Sequence, residues 1–151
     1  MKATAAPVDT KTVEIDRVFD ATIERVWELF TDPDEIAVWG CGDWYHHVDI
    51  DLDLRVGGVI HHRVTSIDDG TAWTFHGVYY EIDGPRRLVY SFDWKSDWRE
   101  PFSPSMVSID FSTSDEGGAA IHLQHSGLPT DSFDTAEAHW NSFLDILAGL
   151  I

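Results

Sequence analysis

The sequence predicts one α+β domain in which an antiparallel sheet is covered on one face by a long C-terminal helix. From Trp44 onward, six strand-like runs alternate with turn signals, and residues 132–150 then repeat apolar side chains at helical spacing. The connections between the runs are short enough for hairpins, which favours a meander over a parallel sheet. In chain order we expect a strand, two short helices, six strands and the long helix.

The segment before the meander predicts one strand and two short helices. Residues 12–19 alternate as a strand does, and residues 1–11 are expected to form a flexible tail before a single domain at 12–151. A helix should begin after Asp20-Ala21-Thr22. Its buried face would carry Ile23, Val26, Trp27 and Phe30. Asp32 is placed as the N-cap of a second helix with Pro33 in its first turn, Ile36 and Trp39 inward, and an end at Gly40-Cys41-Gly42.

The turns predict how the six later strands pair. They fall at residues 55–58, 68–70, 83–85 and 115–118, with a longer loop through Pro101 and Pro104. Either Gly57 or Gly58 should supply a positive φ. Centring the hairpins on Asp69, on Gly84-Pro85 and on Glu116 gives the cross-strand pairs. They are Val59–Tyr79, His61–Gly77, Arg63–Phe75, Tyr79–Tyr90, Gly77–Phe92, Phe75–Trp94, Val107–His125, Ile109–Leu123 and Phe111–Ile121.

These registers predict one aromatic face and one polar face, because alternate side chains of a strand point to opposite sides. The apolar face comprises Phe75, Tyr79, Leu88, Tyr90, Phe92, Trp94, Val107, Ile109, Phe111, Ile121 and Leu123. The polar face comprises Thr74, His76, Ser91, Asp93, Ser108, Asp110, Ser112, His122 and Gln124. A slip of one residue in a hairpin would exchange the two faces of that strand.

The C-terminal helix should lie on the apolar face. Its own apolar stripe comprises Phe133, Ala136, Trp140, Phe143, Leu144, Leu147, Leu150 and Ile151. Asp131 is predicted as its N-cap, and Asp134 lies in the first turn, where the helix dipole favours a negative charge. Trp140 and Phe143 could fill the curve of the sheet completely or border a cavity.

Composition limits the partners and the compartment. The net charge is −17, with 27 acidic and 10 basic residues, so nucleic acid and anionic membranes are excluded as expected partners. The acidic surface fits either ordinary solubility or adaptation to high salt. The chain has one cysteine, and its sequence shows neither an apolar run of membrane-spanning length nor a signal peptide, so we expect a cytoplasmic protein.

The residue patterns give little support to a metal site or a nucleophile. The adjacent pairs His46-His47 and His61-His62 are each divided between two faces of the sheet, and His62 with His76 on the polar face has no third ligand. No metal is therefore expected. No elbow motif surrounds a serine, Ser126 included, and Cys41 has acidic rather than cationic surroundings.

Polar side chains on the predicted apolar face are the more informative candidates. They are His61, Arg63, Tyr79, Glu81, Tyr90 and His125. A buried charge without a partner is costly. Arg63 and Glu81 should therefore pair at the rim, or the set should orient an apolar ligand, as sparse polar groups do in binding sites.

Short motifs along residues 13–150 resemble a known family. They are Val18-Phe19-Asp20-Ala21, Val26-Trp27, Thr31-Asp32-Pro33, Trp39-Gly40, Asp53-Leu54-Arg55-Val56-Gly57-Gly58, Gly77-Val78-Tyr79-Tyr80-Glu81-Ile82, Pro85-Arg86-Arg87-Leu88-Val89-Tyr90, His125-Ser126-Gly127-Leu128-Pro129 and residues 140–147. In this order they resemble bacterial relatives of the activator of the heat-shock-protein-90 ATPase, within the START-like (SRPBCC, birch-pollen-allergen-like) superfamily.

The resemblance implies the helix-grip fold, a seven-stranded antiparallel sheet wrapped around the C-terminal helix with a ligand cavity between them. The expected cavity residues are Trp39, His61, Arg63, Phe75, Tyr79, Glu81, Tyr90, Phe92, Trp94, Ile109, His125, Trp140, Phe143 and Leu147. Relatives often have Trp-Trp where this chain has Trp39-Gly40, and a larger residue near His61-His62. The shape of the ligand is therefore not carried over.

Three functions are compatible with this sequence. The first is a monomeric or homodimeric protein that binds an apolar or aromatic, lipid-like small molecule without a cofactor. The second is an enzyme resembling polyketide cyclases and aromatases, with His61, Arg63, Tyr79, Glu81 and His125 as acid–base groups. The third is contact with a chaperone whose ATPase it stimulates, as the family name suggests. The sequence favours them in that order.

Overall fold

A computed structural model describes residues 9–96 and 105–151 and has the predicted α+β architecture. Its elements are β1 (Thr10–Phe19), α1 (Ile23–Thr31), α2 (Pro33–Trp39), β2 (Tyr45–Leu52), β3 (Val59–Ser66), β4 (Ala72–Asp83), β5 (Arg87–Ser96), β6 (Ser105–Thr113), β7 (Ala119–Pro129) and α3 (Phe133–Ala148). The seven strands form one antiparallel sheet in the order β1-β7-β6-β5-β4-β3-β2. The fold is of the helix-grip type, with the curved sheet around α3.

The two short helices form where their caps predict. The Thr22 side chain accepts the Arg25 N–H of α1 at 3.1 Å, and the Asp32 carboxylate accepts the Asp34 N–H of α2 at 2.9 Å. The Asp32 N–H also bonds to the Glu28 carbonyl, so one residue ends α1 and begins α2. Because β1 and β2 are the two edges of the sheet, these helices cross from one edge to the other.

The registers of β4–β5 and β6–β7 place the aromatic face as predicted. Tyr79 pairs with Tyr90, and Ile109 pairs with Leu123. The core residues of this face that are less than 10% exposed include Phe75, Tyr79, Leu88, Tyr90, Val107, Ile109, Phe111, Ile121 and Leu123. Gly57 has φ +84°, which confirms the positive φ expected in the turn after β2.

The predicted register of β3 with β4 is wrong by one residue. Arg63 lies opposite Thr74, and His61 lies opposite His76. The connecting loop holds four residues between Ser66 and Thr71, closed by a hydrogen bond of 2.8 Å from the Ser66 N–H to the Thr71 carbonyl. The two faces of β3 are therefore exchanged, so that His62 points inward and His61 points outward.

A β-bulge in β4 explains a second difference. The register with β5 shifts between Tyr79 and Glu81, and this turns Glu81 to the exposed side. Just before the bulge, a Cβ at Gly77 would overlap the carbonyl oxygen of Ser91. Ser91 was expected on the polar face but is only 7% exposed, and its hydroxyl accepts the Val78 N–H at 2.9 Å. The strands approach closely here and the sheet bends.

The C-terminal helix begins and ends slightly inside the predicted limits. A 3₁₀ turn at Thr130–Ser132 precedes the helix, and Ser132 occupies the N-cap position without a side-chain hydrogen bond to the helix. The prediction of Asp131 as the N-cap is therefore wrong. Its buried residues are Ala136, Trp140, Phe143, Leu144 and Leu147. Ile151 lies beyond the helix end and is 43% exposed, so the stripe does not extend to it.

Two predicted features fall outside the described residues. They are the loop through Pro101 and Pro104 and most of the N-terminal tail. β1 begins at Thr10 rather than at residue 12. No helix in the described part of the chain is long and apolar enough to cross a membrane.

Candidate functional site

Two small cavities lie between the concave face of the sheet and α3. The first has a volume of about 50 Å³, and the second has about 20 Å³. Four aromatic side chains border both cavities and so form the wall between them. They are Phe75, Phe92, Trp140 and Phe143.

The wall is held by edge-to-face and tilted ring contacts rather than by stacked rings. Phe75 and Phe92 lie 5.7 Å apart between ring centroids, and Trp140 and Phe143 lie 5.8 Å apart. Phe92 is only partly buried, and it also contacts the ring of Trp94 at 5.7 Å. Such contacts contribute about 0.5–1.5 kcal/mol each beyond the apolar area they bury.

Two tyrosines bring polar groups to the first cavity. Tyr79 and Tyr90 face each other across β4 and β5 with ring centroids 6.0 Å apart. Burial raises the pKa of Tyr79 to about 12 and raises that of Tyr90 further, with Tyr79 adding to the effect. Both phenols are therefore neutral at physiological pH and can donate or accept a hydrogen bond.

His125 anchors α3 to the sheet through a buried chain of hydrogen bonds. The indole N–H of Trp140 donates to His125 Nδ1 at 2.9 Å, and Ser105 Oγ lies 2.6 Å from His125 Nε2. Since the indole can only donate, Nδ1 must be unprotonated, and the neutral ring carries its proton on Nε2. The ring therefore donates to Ser105, whose hydroxyl donates to the Phe92 carbonyl at 2.7 Å.

This direction of hydrogen bonding rules out an activated serine in the arrangement that the structure shows. A general base accepts the hydroxyl proton of its nucleophile, whereas His125 donates to Ser105. Burial lowers the pKa of His125 to about 3, so the ring stays neutral at physiological pH. The chain of contacts fixes Trp140 in the cavity wall.

The structure brings nine of the fourteen predicted cavity residues to the two cavities. They are Trp39, Phe75, Tyr79, Tyr90, Phe92, Trp94, His125, Trp140 and Phe143. Ile109 and Leu147 are fully buried core residues that line neither cavity.

Three predicted cavity residues with titratable side chains lie outside both cavities, because the register of β3 and the bulge in β4 place them on the outer side of the sheet. His61 and Arg63 line an open groove on the outer face of the sheet, where Arg63 pairs with Asp49. Glu81 is exposed and pairs with Arg87 at 3.1 Å. The expected pairing of Arg63 with Glu81 is therefore replaced by two separate ion pairs, each with a nearer carboxylate or guanidinium.

Several cavity residues were not among the predicted ones. They include Phe30, Ile36, Gly40, Ile60 and His62 at the first cavity, and Tyr45, Ala136 and His139 at the second. Phe30 and Ile36 were already assigned to the apolar faces of the two short helices. They could have been predicted as cavity residues if those helices had been placed across the open side of the sheet. His62 required the correct register of β3.

A family model supports the same relationship as the fold. Residues 20–151 match the model of the Activator of Hsp90 ATPase homolog 1-like protein family. The chain belongs to this family. The match covers every element from α1 to α3 and therefore includes both cavities.

Solved structures agree with the family assignment. The chain is 26% identical to the AHSA1-like protein from Aeromonas hydrophila, with a TM-score of 0.71 over 91% of this chain and 90% of that one. Protein CV1439 from Chromobacterium violaceum is 24% identical (TM-score 0.77; 96% and 98% covered). Protein Mll3558 from Rhizobium loti is 23% identical (TM-score 0.79; 97% and 100% covered). Likeness at 23–24% identity establishes the fold alone. No curated protein matches the chain.

Proposed function

We propose that this protein binds a small apolar or aromatic molecule between the sheet and α3. The observation that carries the proposal is the aromatic wall formed by Phe75, Phe92, Trp140 and Phe143, which divides one apolar space into two cavities. The family fold commonly binds hydrophobic ligands. Sparse polar groups from Tyr79 and Tyr90 complete the usual composition of a small-molecule site.

The size of the space restricts how the ligand binds. Ligand sites usually measure about 300–1,000 Å³, and a cavity of about 150 Å³ holds benzene. Cavities of 50 and 20 Å³ are smaller than either. Binding therefore requires a wall ring to rotate and join the cavities. Phe92 is suited to this movement because it is only partly buried, whereas Trp140 is held by its bond to His125.

The test adds benzene, indole or naphthalene as a neutral probe to the protein in solution. Binding is measured from changes in the backbone amide chemical shifts. Binding should perturb residues of the wall in the unaltered protein. Phe143→Ala joins the cavities and should strengthen binding of naphthalene more than of benzene. Ile109→Ala opens space in the core away from both cavities and serves as the matched control.

The proposal fails if no probe perturbs the wall in the unaltered protein, or if both variants bind naphthalene equally well. Mass spectrometry of protein purified from its native host would identify a ligand that co-purifies. The cyclase-like activity, the chaperone contact, the cytoplasmic location and the oligomeric state stay predictions. Of the five acid–base candidates for a cyclase, only Tyr79 and His125 line a cavity.

A further inference from the structure

Three side chains that commonly bind transition metals meet beside the end of α2. Cys41 follows that helix, His47 lies on β2, and His62 lies on β3. His47 Nδ1 is 3.1 Å from His62 Nε2, and Cys41 Sγ is 3.9 Å from the same Nε2. The three ligand atoms all lie within 4.8 Å of one another.

The pairing of β2 with β3 brings one histidine of each adjacent pair to this cluster. His47 lies opposite Val64, which is only 1% exposed and points to the inner face. His62 is two residues away on the same face of β3. Their sequence neighbours, His46 and His61, point to the outer face. Each pair is divided between two faces, as the sequence indicated, but the inner members of the two pairs meet.

A β-bulge between His47 and Asp49 sets the charge around the cluster. It turns Asp49 toward the outer face, where the carboxylate binds Arg63. Burial, and to a smaller extent His47, lowers the pKa of His62 to about 4, while Asp49 acts in the opposite direction. Asp49 is thus close enough to act on the cluster without taking one of its positions.

Two of the three separations are close to those of a tetrahedral metal site. With usual zinc bond lengths, two nitrogen ligands are about 3.3 Å apart, and a nitrogen and a sulfur ligand are about 3.6 Å apart. The corresponding distances here are 3.1 and 3.9 Å. These two pairs need shifts of a few tenths of an ångström. The third pair, Cys41 Sγ and His47 Nδ1, lies within 4.8 Å and has to close to about 3.6 Å, a movement that the exposed His47 side chain can make.

Two of the three side chains are buried and one is exposed, which gives the site both fixed ligands and access from solvent. His62 is 3% exposed and Cys41 is 6% exposed, so these two ligands are held by the surrounding core. His47 is exposed on the edge strand and gives an ion access from solvent. A metal site needs a path by which the ion enters as well as suitable ligands.

We propose that Cys41, His47 and His62 form a binding site for a zinc-like divalent metal ion. Cys41 Sγ, His47 Nδ1 and His62 Nε2 are the ligand atoms, and three protein ligands leave one coordination position for water or another small ligand. Binding breaks the S–H bond of Cys41, forms a sulfur–metal bond and releases the proton to solvent. This step is needed because the thiolate, and not the thiol, is the metal ligand. The site does not depend on a ligand in the cavities.

The test measures Zn²⁺ binding to reduced, metal-free protein by competition with a chromogenic chelator. We expect one Zn²⁺ per chain. Cys41→Ser, His47→Gln and His62→Gln should each weaken binding by about 100-fold or more, since even residues behind the ligands contribute 10–100-fold. His46→Gln and His61→Gln are the matched controls and should leave the affinity unchanged.

Cobalt absorption supplies a second readout that identifies the sulfur ligand. Co²⁺ should give a thiolate-to-cobalt charge-transfer band that Cys41→Ser abolishes. His47→Gln keeps the test valid if the variants at the two buried positions fail to fold, because His47 is exposed. The proposal is overturned by the absence of a thiolate band, by a stoichiometry other than one, or by His61→Gln weakening binding as much as His47→Gln.

Discussion

Replacing Ser105 by alanine removes the central hydroxyl of the buried chain that joins α3 to the sheet. The Ser105 hydroxyl donates to the Phe92 carbonyl at 2.7 Å and accepts the proton on His125 Nε2 at 2.6 Å. Ser105 is 0% exposed, so solvent does not reach the groups left behind. The space vacated by one oxygen atom is too small for a water molecule, which needs about 10–15 Å³.

The cost follows mainly from the His125 N–H, which is left without an acceptor. Leaving a buried donor or acceptor without a partner costs about 1–3 kcal/mol. The Phe92 carbonyl stays paired in the ladder opposite Ser105, so Ser105→Ala leaves one buried donor, the His125 N–H, unpaired and should lower the free energy of unfolding by about 1–3 kcal/mol. For a chain of this length that corresponds to a fall in Tm of about 2–12 °C.

The measurement is urea unfolding followed by circular dichroism, with thermal melting alongside. Ser108→Ala on the same strand is the control, because Ser108 lies on the other face and is only half-buried. Its effect should stay within about 0.5 kcal/mol, as for most surface changes. Equal effects of the two substitutions would refute the role of Ser105 as the buried hydrogen-bond partner of His125.

Three further outcomes test other parts of the structure. His62 and His125, whose pKa values fall to about 4 and about 3, stay neutral in the folded state while the unfolded chain protonates them below about pH 6.5. The contribution of these two neutral histidines to the free energy of unfolding should be fully present above that pH and should fall toward pH 4. His125→Gln should reduce the proton uptake on acid unfolding by about one proton, and an unchanged uptake would contradict this. Gly77→Ala should lower the free energy of unfolding, measured by urea titration, by more than about 2 kcal/mol, because the added Cβ overlaps a backbone carbonyl. Gly70→Ala should lower it by only about 1 kcal/mol, because Gly70 has φ +71° but open space around it. Added salt should raise Tm in differential scanning fluorimetry, because it screens repulsion within a chain of net charge −17; a Tm independent of salt would count against this effect.

Among the described residues, turn composition correctly predicted the positions of the hairpin turns, but it did not always predict the register. The turn between β3 and β4 offered Asp68-Asp69-Gly70 as its centre, and loops of three or four residues fit that sequence equally well. The structure has the longer loop, closed between Ser66 and Thr71. One additional loop residue was enough to exchange His61 with His62, and with them the polar lining of the site.

Gly77 within β4 is compatible with a bulge or a close backbone approach, but it does not indicate at which residue the register shifts. Tyr79 and Tyr90 pair as expected, but the extra residue between Tyr79 and Glu81 turns Glu81 outward. By contrast, Ser105 could have been found. The correct pairing of Val107 with His125, extended by two residues along β6, places Ser105 on the same inner face.

The pairing of β1 with β7 has a consequence for how the chain folds during synthesis. Thr10 lies opposite Pro129, so the first strand of this sheet to be synthesised pairs with its last strand. The meander from β2 to β6 can assemble by local pairing, while β1 must wait until β7 has been made. Closing that long loop should limit the folding rate. Until β7 is made, β1 and the free edge of β6 are the surfaces that a chaperone would need to protect from aggregation.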